Sequence, residues 1–140
     1  MNILKGKAML AIGAVVDVAT QADQAPITGK AMAIRMKLPP RHLQSLLRKL
    51  VRQKVLTGAR GLNGGYKLAR APSEIFLGEI VRVAYSLNSD EPNLLGANSE
   101  IIKNAVFPLM SKLSASFLDI LDQTPVDSLL KGGNGVNCGN

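Results

Sequence analysis

Residues 39–54 constrain the fold most. Pro39 and Pro40 open the segment, and Leu43, Leu46, Leu47 and Leu50 follow at i, i+3, i+4 and i+7. Proline has no hydrogen bond to lose at the first helical position, so the pair marks a helix start. The leucine spacing puts all four side chains on one stripe of a helix running to about residue 54. Arg41, Gln44, Ser45, Arg48 and Arg52 fall outside the stripe. One face must therefore be buried, while the other presents long donors suited to phosphates and to the acceptor edges of guanine.

The flanking segments give that helix a setting. Over 5–22, Ala8, Ile12, Val15 and Ala19 recur on one helical face. A break at 23–26 precedes Thr28, whose hydroxyl is placed to cap a short helix reaching Met36. After the leucine helix, two short apolar-rich stretches, 55–59 and 66–70, flank the turn Arg60-Gly61-Leu62-Asn63-Gly64-Gly65. Glycine supplies the positive φ that tight hairpin turns require. Three helices followed by a hairpin carrying Arg60, Lys67 and Arg70 is the layout of a winged helix-turn-helix.

Beyond Pro72, residues 76–87 form an amphipathic helix with Ile80, Val83, Ala84 and Leu87 inward, and 88–98 is polar loop. A long helix over 99–122 is apolar on more than one side: Ile102, Val106, Leu109 and Leu113, and also Ile101, Met110, Phe117 and Leu121. Such a band suits a helix that packs on its own domain and on a second copy; the alternative is that it completes the core of a monomer. Pro108 should kink or restart the helix. Thr124 and Pro125 open a short helix over 125–130, and 131–140 reads as a mobile tail. The fold class is thus mainly α with a small β-hairpin wing. It divides into a DNA-binding domain at 1–88, a loop at 89–98, a dimerisation region at 99–130 and a flexible tail.

Charge sharpens the function class. Residues 1–70 hold thirteen of the seventeen Lys and Arg and two of the ten acids, a net +11, whereas 71–140 carry −4. A basic half joined to an acidic half points to a polyanion-binding module, nucleic acid foremost; a solvated basic face is the plain alternative. No apolar run approaches a membrane span. Asp17 and the helical spacing argue against a signal peptide despite the basic residues that precede the first apolar stretch. One cysteine, Cys138, fits a reducing compartment, and a cytoplasmic location is expected. A redox role for Cys138 lacks any local feature that would lower its pKa. The single histidine, His42, has no metal-ligating neighbours in sequence. No nucleophile–base pair, paired carboxylates, phosphate loop or dinucleotide fingerprint is present, so no enzyme is expected. Tyr66 reads as a packing residue of the hairpin, and Asp119, Asp122 and Asp127 as solvated helix and cap residues.

Taken together, Arg60-Gly61-Leu62-Asn63-Gly64-Gly65-Tyr66, Lys5-Gly6-Lys7, the helix-three leucines, Leu77-Gly78-Glu79-Ile80-Val81 and the long C-terminal helix resemble the Rrf-two (BadM-type) bacterial regulators over about residues 3–130. The resemblance implies a homodimer on an inverted-repeat operator of double-stranded DNA, most often as a repressor. It implies base reading by Arg41, His42 and Gln44, minor-groove entry by Arg60, and phosphate contacts from Lys5, Lys7, Arg48 and Lys67. Dimerisation falls to Ile102, Val106, Leu109, Leu113 and Phe117. Two departures stand out. Lys37 occupies a position where the family commonly has glycine. The loop 87–98 also lacks the three cysteines of the cluster-sensing members, so no cofactor and no metal ligand is expected. The alternatives are a protein-interaction module, a regulator controlled by a partner metabolic enzyme or a small-molecule effector, and a redox or metal sensor.

Overall fold

The computed structural model describes residue 4, residues 6–86 and residues 99–136, with side chains through 131. Lys5, Leu87, the remainder of the loop 87–98 and Cys138 lie outside the described residues.

Helix α1 (Gly6–Thr20) buries Ala8, Ala11, Ala14, Val15, Val18 and Ala19. Ile12, expected at the centre of that face, is only half-buried. The band is shifted and widened because α1 is enclosed from several directions, by α4, by α6 and by the hairpin. Helix α2 (Gly29–Met36) starts as expected, with Thr28 Oγ1 accepting from Ala31 N at 3.1 Å. Arg35 grips Asp17 of α1 through two nitrogens, at 2.8 and 3.0 Å. Helix α3 (Pro40–Arg52) buries all four leucines of its stripe.

Helices α2 and α3 end alike. Lys37 sits in the left-handed region (φ 54°, ψ 46°), and Leu38 N then reaches back to Ala33 O at 2.9 Å. Lys54 has φ 60°, and Val55 N reaches Leu50 O at 2.9 Å. Both are six-to-one terminations of the Schellman type, which favour glycine at the left-handed residue. The structure thus explains why glycine suits position 37. It also explains why α3 stops two residues before its expected end.

Strands β1 (Leu56–Ala59) and β2 (Gly65–Leu68) pair antiparallel with Leu56 opposite Leu68 and Ala59 opposite Gly65. Ile27 adds a single-residue third edge, exchanging backbone hydrogen bonds with Tyr66 at 2.7 and 3.1 Å. Two glycines are required at the hairpin end. A Cβ on Gly64 would lie 2.5 Å from Ala59 O, and one on Gly65 (φ 143°) would lie 2.6 Å from Ile27 O. Tyr66 packs on the core's edge, as expected of a packing residue.

A 3-10 turn (Pro72–Glu74) leads into α4 (Leu77–Tyr85), which buries Ile80, Val81, Val83 and Ala84. The C-terminal helix is π-helical over Ile102–Val106 before continuing as α5 (Phe107–Asp122). Pro108 lacks the N–H that an α-helix would give residue 104, and its ring crowds that carbonyl; widening the preceding turn relieves both. Helix α6 (Val126–Val136) runs beyond its expected end at 130 and into the stretch read as tail. Its first turn is anchored by buried Val126, and Lys131 pairs with Asp127 at i, i+4. Propagation from an anchored turn requires no new nucleus. Leu121 and Val126 belong to the same core as α1, α3 and α4. Among the described residues, no helix is long and apolar enough to cross a membrane.

Candidate nucleic-acid interface

The seven arginines separate into two groups. Arg35, Arg70 and Arg82 are tied to carboxylates within the fold: Asp17, Glu79 and Asp122. Arg41, Arg48, Arg52 and Arg60 make no side-chain hydrogen bond or ion pair among the described residues. All four are exposed, and all four lie on α3 or at the hairpin. On α3 the leucine stripe forces this arrangement. With Leu43, Leu46, Leu47 and Leu50 pointing inward, the 100° helical step turns Arg41, Ser45, Arg48 and Arg52 directly outward. Gln44 flanks that row on one side and His42 on the other.

Two recesses gather the expected residues. Arg48 and Arg60 line one of about 570 Å³ together with Thr28, Gly29 and the wing glycines, so α3 at Arg48 and the hairpin share one basic recess. Lys7 of α1 and His42 of α3 line a smaller one of about 140 Å³ with Ser45. Lys67 is exposed on the outer side of β2. Lys5 lies outside the described residues.

Three features escaped the sequence reading. Leu62 stands at the wing tip beside Arg60, fully exposed at 105%. Lys30 is exposed in the first turn of α2, next to Gly29 at the Arg48–Arg60 recess; the expected cap at Thr28 was the signal that could have found it. Arg70 does not belong with the outward bases of the return strand. It donates to Lys54 O, Glu74 O and Glu79 Oε1, joining the wing's base to α4. Glu79 also accepts from Phe76 N at 3.0 Å. Partial burial pushes its carboxyl upward, but the hydrogen bonds from Arg70 and Phe76 N outweigh this and hold it below its ordinary range. Asp122, expected as a solvated residue, instead receives Arg82, and that hydrogen bond holds its carboxyl below the usual range. The Arg82–Asp122 pair passes directly over Gly78, where any Cβ would collide with it.

Helix α5 and the π-helical turn before it present a second surface. Val106, Leu109, Met110, Leu113 and Ile120 are exposed, Leu109 and Leu113 at 56% and 54%. Positions 106, 110, 113, 117 and 120 step by four and three, the seam of a helix that pairs with another helix. Ile102 is half-buried, and Phe117 turns partly against the core. Leu121 of α5 is buried in the core and Phe117 and Leu118 pack against it, while the rest of the band, Ile102 apart, is exposed.

Comparison with known proteins agrees with this geometry. A Synechocystis protein named as an HTH-type transcriptional regulator is 40% identical over 78 residues, covering 56% of this chain and 53% of that one. The match spans about half the length of this and several other curated relatives. The structure of T. potens IscR superposes with a TM-score of 0.72 at 26% identity, covering 94% of this chain and 88% of that one. The oxidised form of Staphylococcus aureus CymR gives 0.69 at 26% identity, covering 92% and 95%. The helices and hairpin are therefore a winged helix-turn-helix arrangement shared with these regulators. The Rrf2 family model, described as an iron-dependent transcriptional regulator, matches residues 4–132, and the chain belongs to that family.

Proposed function

We propose that this chain is a sequence-specific DNA-binding transcription regulator, acting as a homodimeric repressor on an inverted repeat rather than as an enzyme. The observation that carries the reading is the partition of the arginines. Among the described residues, those on α3 and the wing tip are exposed and unpaired, Arg48 and Arg60 sharing one recess, while Arg35, Arg70 and Arg82 are paired with carboxylates. Arg41, His42 and Gln44, near the start of α3, read base edges in the major groove. Arg60 enters the adjacent minor groove from the wing. Lys5, Lys7, Arg48 and Lys67 contact phosphates. The exposed seam of α5 pairs two copies, with residues 1–88 as the reading domain and 99–130 as the assembly region. Action on chromosomal DNA places the protein in the cytoplasm.

The iron in the family's description finds no fitting donor set here. The sequence has one cysteine and one histidine, the histidine is exposed at the base-reading end of α3, and no three His, Cys, Asp or Glu side chains cluster among the described residues. Cluster ligation needs several thiolates within reach of one another. The signal is therefore assigned to a partner protein or a small molecule.

Selection of bound duplexes from a random library, run at two salt concentrations, tests the reading. An enriched inverted repeat with half-sites about one helical turn or a multiple apart is expected. Salt-sensitive binding with no enriched sequence would overturn it.

A further inference from the structure

A recess of about 420 Å³ opens between the last turn of α3 and α4. Lys49, Arg52 and Gln53 form one wall, and Glu79, Arg82 and Val83 the other. Its charge is unbalanced. Three cations line it, against Glu79, which is already held by Arg70 and Phe76 N, and Asp122 behind Arg82. Its donors are also underused. Lys49 Nζ gives one hydrogen bond, to Ser86 O at 3.2 Å, and an ammonium has three protons. The Arg52 guanidinium and the Gln53 amide donate to nothing among the described residues. The recess behind the wing differs in this respect, because its one arginine, Arg70, already donates to three acceptors within the fold.

We infer that the α3–α4 recess binds a small molecule through a carboxylate or phosphate group, and that its occupancy alters DNA affinity. A planar guanidinium with a free fork beside an ammonium and an amide matches the two or three oxygens of such a group. The site's position supplies the coupling. One wall is the end of the helix that carries the base-reading residues. The other wall holds Arg82, whose partner Asp122 ends the α5 helix. An anion in the recess competes with Asp122 for Arg82 and draws Lys49 from the end of α4. It therefore biases how α3 sits relative to α5, since a ligand shifts a conformational equilibrium by its differential affinity for the two states. The regulatory half of this inference rests on the DNA-reading function proposed above; the binding half does not.

The binding half is tested on the full chain without DNA. Thermal unfolding is followed in sodium phosphate and in sodium succinate, each against sodium chloride at equal ionic strength. One of the two anions is expected to raise the midpoint beyond the chloride control. At a tenfold excess over its dissociation constant it raises the folded-to-unfolded ratio about tenfold. Lys49→Met with Arg52→Gln should weaken half-saturation at least tenfold, whereas Lys103→Gln should not change it. Gln53→Glu, which leaves the cations in place but adds a negative charge to the recess, should abolish the response and serves if the double variant folds poorly. No anion-specific shift, or an equal shift in the variants, overturns the site. A double variant that instead loses affinity for random DNA, with a shallower salt slope and no anion response in the wild type, would make these cations phosphate contacts and also overturn it. The regulatory half is read by titrating the binding anion into a labelled duplex complex. A change in affinity absent from the variants is expected, and an unchanged affinity despite demonstrated anion binding removes that half alone.

Discussion

At the scale of single residues, exposure and lack of partners decide which side chains are available to DNA. Arg41 makes no side-chain hydrogen bond or ion pair among the described residues, so its removal should cost the fold little and the complex a base contact. Arg41→Ala is expected to lose roughly 1–3 kcal/mol at one operator position and to relax preference there. A binding-site profile measured on single-base operator variants checks this, and equal loss on specific and random DNA would refute it. Arg60→Ala should weaken binding mainly at A·T-rich flanks, where a narrow minor groove attracts an inserted arginine; an unchanged profile would speak against groove entry. Stability follows different residues. Lys37 and Lys54 hold left-handed backbone geometry that strains any Cβ. Lys54→Gly should therefore raise stability by about 1 kcal/mol, the relief of strain exceeding the added freedom of the unfolded chain. Denaturant melts of the variant decide this, with an unchanged or lower midpoint contradicting it. Neither strained position was legible in the sequence. Position 37 was visible only as a departure from a family habit, and position 54 was read as the end of the leucine helix.

Elements were more legible where periodicity spoke and less so where the chain makes single-residue contacts. The α3 stripe emerged as read because four leucines at 3–4 spacing admit one buried face. The hairpin emerged because its glycines are sterically required. The Ile27 edge did not, since one backbone pairing leaves no pattern, and the π-helical turn was foreseen only as a disturbance at Pro108. The Arg70–Glu79 joint was missed for a similar reason: a basic residue on a return strand looks like any other until its partner, nine residues on, is seen. This joint links the wing's base to α4 and has a testable pH signature. Glu79 has a folded pKa below its ordinary value, so its contribution is present above that ordinary value and is lost as pH falls through the depressed one. Glu79→Gln should lower the melting midpoint at neutral pH, by the equivalent of about 1 kcal/mol or less for so exposed a pair. It should also flatten the acid limb of the stability profile, leaving the part due to Asp122, which is lowered in the same direction. An acid limb identical to wild type would show that the joint does not contribute. For α5, Leu113→Glu places a charge in the centre of the proposed seam, where burial on pairing would be costly. The variant should sediment as a folded monomer at concentrations where the parent is dimeric. A variant that remains dimeric would assign the exposed seam to another partner.

At the scale of the whole molecule, the two halves carry opposite charge for different reasons. The basic half has its arginines without partners among the described residues on α3 and at the wing, Arg48 and Arg60 sharing one recess, whereas acids in the second half neutralise structural bases or cap helices, as Glu79 and Asp122 do. The sequence showed this separation as a number, and the structure turns it into a surface with a direction. Affinity for any duplex should then come mainly from counterion release, with log K falling linearly in log salt by about 0.9 for each phosphate contact. In a homodimer each substitution acts twice. Lys67→Ala should therefore reduce the magnitude of the slope by about two and weaken specific and random duplexes alike. Arg41→Ala should weaken the operator more than random DNA, because the lost contact is to a base edge. Salt titrations of both variants on an operator and on a scrambled duplex separate these roles. If Lys67→Ala leaves the slope unchanged, the outer side of the hairpin does not face the phosphates, and the wing must approach DNA through the Arg48–Arg60 recess alone.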